Sequence, residues 1–581
     1  MDGIVDSREV LKRVVAEAPQ GHSEIRESAR SAAAQTRIGR SLFMREFGVA
    51  SELEYKQQSM RDGRIMYHAH VGMNDMTATA AALRAIHTEL ASTGHRLDRA
   101  GFAVDRRMGL PVEMREQAAA ETGPMLVDDN DWDALAESAP IQPHLGDFMI
   151  GQPSSLQNTV QALRIGCTTV GNLSQFFTFE APGWSDTADT ARQTCTAIAL
   201  LAEFREQGCM LHSYLEDGYG ALFRHCASVA AWAMLERYLV EELLGARLSH
   251  CIGGLTTDPV RRAGWVIALQ QIHGGDHVGS MIYGDTLSFG RDFEKNRALT
   301  AEYLQWDILA QMHCPSGHGV LPLPVTEAIR IPSAEEIIEA QRFGRRVEEG
   351  ARRLYPHVDF SAAQTFADEV CRDARPIFDA ALAGFGEAGV DTRNPLQMLY
   401  VMKRLGADHF ERLFADLPDT ASLTDMYALS QGVVESHRYL LDDENFLRQV
   451  KGRRFLVASS DVHEHAAGAL AQLLSEAGAS VIYLGAEQNP DDLTTALEQH
   501  SADAILLSTH NGMALEYARQ LRDLLDAGSQ DVPVVMGGVL NQKVEDRDLP
   551  VPVVEELKGL GMLPVMSLPG LPRLLESNLK R

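Results

Sequence analysis

Residues 455–470 read FLVASSDVHEHAAGAL, and this stretch decides how the last quarter of the chain folds. Phe455 to Ser460 is an apolar run without alternation, as expected of a parallel strand covered on both faces. It passes at once into Asp461-Val462-His463 and then into an alanine-rich segment suited to a helix. A strand that delivers Asp-x-His into the loop before a helix can hold a metal. The imidazole supplies a nitrogen ligand, and the carboxylate two residues earlier accepts the other ring N–H and fixes the tautomer. Further strand-like runs follow at 480–485 (SVIYLG), 502–509 (ADAILLST), 532–538 (VPVVMGG) and 562–568 (MLPVMSL), with helix-like segments between them. Such alternation predicts a doubly wound parallel sheet, in which ligands sit beyond the strand carboxyl ends. Those ends carry Asp461 and His463, then Ser508-Thr509, then Gly537-Gly538. The glycine pair clears side chains where a flat, bulky ligand could approach the backbone.

On these residues the segment resembles the cobalamin-binding domain of B12-dependent mutases and methionine synthase, a Rossmann-like (flavodoxin-like) fold. That family carries Asp-x-His-x-x-Gly after its first strand, a serine after the third and Gly-Gly after the fourth. The resemblance implies His463 as the lower ligand to cobalt, with Asp461 behind it, and Ser508, Gly537 and Gly538 along the nucleotide tail. The chain departs from the motif at its glycine position, which is Ala466; Gly468 lies two residues on, and His465 to Gly468 forms a competing His-x-x-Gly. The Asp-x-His spacing favours His463.

Composition sets the outer bounds. A chain of 581 residues suggests two to four domains, and 45% hydrophobic residues suffice for large cores. The net charge of −27 argues against nucleic acid as a partner. Seven scattered cysteines without a CxxC fit a reducing compartment. No apolar run reaches 18 residues, and the opening MDGIVDSREVLKRVV has no signal-peptide core. A cytoplasmic protein with no membrane partner is therefore expected.

Residues 1–60 read as a charged, helical N-terminal arm, a packing or dimerisation element. Over residues 61–345 strand-like runs appear at 65–72, 101–106, 147–151, 167–173, 209–215, 248–254, 277–284 and 308–314. Helix-like segments such as SLQNTVQALRI and TARQTCTAIALLAEFREQG separate several of them. Eight strands alternating with helices predict an α/β fold of the (β/α)8 TIM barrel type. Residues 318–332 are an alternative place for the eighth strand. Residues 346–450 read as a helical connector, and 451–581 as the cobalamin-binding domain.

Active groups of a barrel gather where the strands end. The expected ends carry Tyr67, His68 and His70; Asp105, Arg106 and Arg107; Gln152; His212, Tyr214, Glu216, Asp217 and Tyr219; Thr256, Thr257 and Asp258; and Tyr283 and Asp285. Here a second resemblance enters, between residues 206–345 and the catalytic barrel subunit of glutamate mutase (methylaspartate mutase). It rests on Glu206-Gln207-Gly208, on the acidic residues before Tyr219-Gly220-Ala221-Leu222, and on Glu327-Ala328-Ile329-Arg330-Ile331-Pro332.

The second resemblance implies an adenosylcobalamin-dependent carbon-skeleton mutase, a radical isomerase, and gives Glu327 a contact to the adenosyl ribose. It implies a small amino or hydroxy carboxylic acid as substrate. Arg106 or Arg107 would hold the carboxylate, and Glu216 or Asp217, with Tyr219 beside them, an amine or hydroxyl. A homodimer is expected. The family's other two clamp arginines fall near 149–152 and near Ile198, where this chain has none, so glutamate is an unfavoured substrate. Two other readings stay open. One is a corrinoid methyltransferase whose zinc ligands would be His313, Cys314 and His318; the other is a non-catalytic B12 sensor.

Overall fold

The computed structural model describes residues 6–118, 123–460, 465–485, 488–509, 512–542, 544 and 550–579. Its contacts divide the chain into two units, one built of 5–327 and 331–424, the other chiefly of 425–581.

Among the described residues of the first unit, eight short strands alternate with helices. They are β1 (Met66–Val71), β2 (Arg99–Phe102), β3 (Gln142–His144), β4 (Thr169–Val170), β5 (Met210–Tyr214), β6 (Leu248–Ile252), β7 (Met281–Ile282) and β8 (Gly319–Val320). They form two four-stranded sheets, ordered β3-β2-β1-β8 and β4-β5-β6-β7, and every pairing is parallel. A parallel bridge from Leu145 to Val170 continues β3 onto β4. On the other flank Gly279 N donates to Ser316 O at 2.8 Å, just before β7 and β8.

Two of the expected strands lie elsewhere. The run 308–314 is the end of helix Phe293–His313, because Leu304, Ile308 and Leu309 recur at helical spacing and are buried there; the eighth strand is Gly319–Val320, inside the alternative segment. Residues 147–151 are not a strand either. β3 is the unpromising Gln142-Pro143-His144, and Met149 and Ile150 are buried loop residues beyond its end.

The space between the two sheets is polar. Imidazoles of His68, His144, His212 and His318, from β1, β3, β5 and the start of β8, meet there with ring centroids 5.2–6.3 Å apart. Arg99 on β2 donates from one terminal nitrogen to His68 Nδ1 (3.1 Å) and His318 Nε2 (3.2 Å). Its guanidinium also lies 2.8 Å from Glu52, which is 2.8 Å from Lys56. Burial, aided by the neighbouring cations, holds all four histidines well below the usual imidazole range, so they are neutral. Glu52 and Lys56 come from helix Glu52–Arg61 of the N-terminal arm. The arm's earlier helices, Ser7–Glu17 and Ser23–Gln35, pack against helices Pro395–Leu405 and Thr187–Glu203 of the same unit. Helix Ser361–Glu387 lies on helices Cys226–Arg237 and Pro259–Ile272, with Gly264 allowing Phe366 to approach closely.

The second unit is a parallel sheet of β9 (Arg454–Ser459), β10 (Ser480–Gly485), β11 (Ala504–Thr509), β12 (Val534–Gly538) and β15 (Leu563–Pro564), in the order β10-β9-β11-β12-β15. A small antiparallel pair, β13 (Asn541–Gln542) and β14 (Val551–Pro552), stands beside it. Chain order 2-1-3-4-5 is a doubly wound arrangement whose switch point lies between β9 and β11. The unit begins ahead of the expected boundary at 451, because helix Asp425–His437 packs on helix His465–Glu476.

Candidate functional site

In the second unit a cavity of about 200 Å³ opens at the carboxyl half of the sheet. Its walls come from the central strands (Val457, Leu506, Ser508, Val535, Gly537, Gly538), helix His465–Glu476 (Ala466, Ala467, Leu470) and the segment Val565–Leu571. Among the described residues the lining is apolar apart from Ser508 and Ser567. Ser508 is buried, and among the described residues its hydroxyl has no hydrogen-bond partner. A buried hydroxyl left unpaired beside a cavity suits a ligand that accepts or donates there. Gly538 sits at φ +93°, where glycine is favoured, and a Cβ on Gly537 would press on Val565 at 3.3 Å. Asp461 and His463 lie outside the described residues. The cavity's apolar length, its glycine edge and its lone hydroxyl fit the nucleotide tail of a cobalamin.

In the first unit the expected substrate residues sort into three groups. The first gathers beyond the ends of β1, β3, β4, β5 and β7. Tyr214 and Tyr283 stack with centroids 4.8 Å apart and planes 14° apart, and Tyr283 Oη is 3.3 Å from His70 Nδ1. A Cβ on Gly254 would collide with the Tyr214 hydroxyl. Asp217 accepts from Asn172 Nδ2 (2.8 Å) and from Gln175 Nε2 (3.2 Å), and the same Gln175 nitrogen donates to Asp147 at 3.1 Å. Burial pushes the Asp147 carboxyl up to about 6, with Gln175 opposing. Burial, then the charges of Glu327, Asp147 and Asp217, holds the Tyr283 phenol well above its ordinary range, so it stays protonated. Half-buried Glu327 is pushed up to about 7 by burial and then by Glu336.

The second group is engaged in holding loops. Glu216 accepts from Gly253 N (2.7 Å) and Thr256 Oγ1 (3.4 Å), bracing the loop after β6. Arg262 grips Asp307 at 2.9 and 2.7 Å and donates to the carbonyls of Gly253, Thr256 and Tyr283. Asp285 accepts from Leu287 N at 2.9 Å, and burial raises its carboxyl to about 7. Tyr219 donates to Lys403 O at 2.6 Å, with its ring among Phe177, Phe223 and Trp232.

The arginines form the third group. Arg106 is buried, donates to Glu180 O at 3.1 Å, and lies 5.9 Å over the Phe179 ring. Arg107 is paired with Asp105 through two bonds of 2.9 and 3.0 Å. Arg164 pairs with Asp129 and Asp133, and Arg261 donates to Leu423 O. His313, Cys314 and His318 do not converge: His313 stacks on Phe360 at 4.1 Å, Cys314 Sγ is 3.5 Å from His277, and His318 is bound to Arg99. Among the described residues no group of three or more His, Cys, Asp or Glu is arranged to hold a metal ion. No described helix is long and apolar enough to cross a membrane.

Asp147, Asn172 and Gln175 were not singled out in the sequence. Asp147 was hidden by the misplaced third strand. The Asn-Leu-Ser-Gln run after β4 carries no recognisable pattern of its own.

Residues 454–550 match the family described as B12 binding domain. The glutamate mutase sigma subunit 1 of Haloarcula marismortui is 38% identical over 84 residues, 14% of this chain and 56% of that protein. The glutamate mutase sigma subunit of Halobacterium salinarum is 38% identical over 81 residues, 14% of this chain and 54% of that one. The fused isobutyryl-CoA mutase of Paraburkholderia xenovorans is 34% identical over 88 residues, 15% of this chain and 7% of that protein. The chain thus spans little more than half of the sigma subunits. A crystal structure of a cobalamin-binding protein from Desulfitobacterium hafniense matches 26% of this chain and 80% of its own, at 18% identity and a TM-score of 0.19. The chain carries a C-terminal B12-binding domain, and cobalamin is its cofactor.

Proposed function

We propose that the chain is an adenosylcobalamin-dependent carbon-skeleton mutase acting on a small amino or hydroxy carboxylic acid. The observation that carries the reading is one chain joining a B12-binding domain to an eight-stranded parallel unit whose strand ends gather Tyr214, Tyr283, His70, Asp147 and Asp217. The strand order, the Leu145–Val170 bridge and the Gly279–Ser316 bond support a (β/α)8 barrel for that unit. The match to two glutamate mutase subunits and a fused acyl-CoA mutase supports an isomerase.

On this reading His463, backed by Asp461, would hold the cobalt. Ser508, Gly537 and Gly538 would receive the nucleotide tail, and Glu327 would meet the adenosyl ribose. Bound adenosylcobalamin supplies radical chemistry for exchanging a hydrogen with substrate. The protein's own side chains bind, orient and shield. Asp217, aimed by Asn172 and Gln175, accepts hydrogen bonds from the substrate amine or hydroxyl. Arg106 anchors the carboxylate with charge-assisted bonds. Arg107, paired with Asp105, is the alternative anchor. Glu216 and Tyr219 shape the site from behind rather than touching substrate. The stacked tyrosines form a wall that excludes water. Their phenols, kept protonated by burial, donate hydrogen bonds without acting as bases.

The test is anaerobic incubation with adenosylcobalamin and a panel of small amino and hydroxy acids, followed by EPR and product NMR. A substrate-dependent paramagnetic signal with an isomerised product is expected. Methyl transfer from methylcobalamin to a thiol, with no such signal, would replace the mutase by a methyltransferase.

A further inference from the structure

This inference rests on the reading of the second unit's cavity as the seat of the nucleotide tail. One edge of that cavity is bare of side chains and the facing helix is not. At the end of β12 Gly537 and Gly538 leave only backbone, beside the side chains of Val457, Leu506, Ser508 and Val535. Val565 and the left-handed φ of Gly538 both oppose a larger residue there. On the helix side Ala466, Ala467 and Leu470 line the cavity, one face of helix His465–Glu476. Gly468, on the same helix, does not line it. A Cβ at Gly468 would meet Ser430 Oγ and Tyr483 Oη at 3.6 Å, ordinary contact distances. Packing therefore does not require glycine at 468, and the helix spends its glycine away from the cavity while a methyl stands in it at 466.

We propose that Ala466 is a steric gate on the tail cavity, so that the protein discriminates among cobamides by the size of the lower base. The described lining of the cavity is apolar apart from Ser508 and Ser567, and such pockets respond strongly to a single carbon: one methylene too many costs about 10- to 200-fold in binding. The two methyl groups of 5,6-dimethylbenzimidazole are the increment that the Ala466 methyl opposes. A cobamide with an unmethylated benzimidazole fits with less displacement of the helix. A corrinoid lacking the nucleotide, cobinamide, does not enter the cavity and is indifferent to residue 466.

The experiment measures equilibrium binding of cobalamin, benzimidazolyl cobamide and cobinamide to the full chain by absorbance-monitored dialysis. Wild type, Ala466→Gly and Ala466→Val are compared. In wild type the unmethylated cobamide is expected to bind about tenfold tighter than cobalamin. Ala466→Gly brings the two within about twofold, Ala466→Val widens the gap, and cobinamide binds all three proteins alike. An unchanged ratio in Ala466→Gly overturns the gate while leaving the cofactor reading intact. A cobinamide affinity that moves with the cobamides also overturns it, since the residue then acts through the fold of the domain. Failure of wild type to bind any of the three overturns both the gate and the cavity assignment beneath it.

Discussion

The buried group of Glu52, Lys56 and Arg99 makes two substitutions of opposite sign predictable. Glu52 lies 2.8 Å from each cation, and all three side chains are fully buried. Removing the carboxylate leaves two cations with no counter-charge. Breaking a buried ion pair from one side costs about 3–5 kcal/mol, and Glu52→Gln is expected to destabilise the first unit by that much. Lys56→Met does the reverse. It leaves Glu52 and Arg99 as one neutral pair and removes an ammonium that burial depresses to about 8 in spite of Glu52. The unfolded chain keeps that lysine near 10.5, so between those values it holds more protons than the folded one. The cost of burying this ammonium therefore falls with pH across that window, by about 3 kcal/mol in all, and is fully present below pH 8. Lys56→Met is expected to be neutral or stabilising at pH 7, and its stability relative to wild type to fall as the pH rises. All five tryptophans of the chain, Trp132, Trp184, Trp232, Trp265 and Trp306, lie in this unit, so urea unfolding followed by tryptophan fluorescence at pH 7, 9 and 10 reports on it. A Lys56→Met protein as unstable as Glu52→Gln, or a difference between the Lys56→Met and wild-type midpoints that does not change with pH, would refute the argument.

Other expected outcomes concern the two sites. His463→Ala should remove the imidazole nitrogen coupling from the EPR spectrum of the cob(II)alamin form, whereas His465→Ala should keep it; the opposite result shifts the ligand by two residues. Arg106→Ala or Arg107→Ala should weaken turnover of a carboxylate substrate by roughly 10- to 200-fold, the worth of one charge-assisted contact; turnover unchanged in both variants removes the arginine anchor. Asp147 titrates near 6, so the rate should change along a limb with an apparent pKa of about 6, and Asp147→Asn should abolish that limb; an unchanged profile removes Asp147 from the site. Glu327→Ala should lower turnover more than cobalamin affinity, measured separately by rate and by dialysis.

The second unit was the more legible in sequence. Its central strands β9, β11 and β12 are largely buried, so each is a continuous apolar run ended by polar residues or glycine, and their order along the chain is enough to place Ser508, Gly537 and Gly538 at one edge. The first unit was read less well because its strands are two to six residues long and their inward positions are histidine, arginine and glutamine. A strand such as Gln142-Pro143-His144 has no hydrophobic signature, and the apolar run that follows it is loop. That offset of a few residues moved Asp147 from the start of an imagined strand to the end of a real one.

The sequence by itself determined the alternation of strands and helices, the parallel sheets this alternation requires, and the residues at the edge of the second unit's cavity. These follow from period and punctuation, which are local. Only the tertiary structure decided which polar residues meet. It brought Glu52 and Lys56 of the N-terminal arm to Arg99, tied Asp147 to Asp217 through Gln175, and committed Glu216, Tyr219 and Arg262 to bracing loops. The physical reason is that a buried charge or amide must find its partner wherever the fold puts one, and the partners here come from strands and helices far apart in the chain.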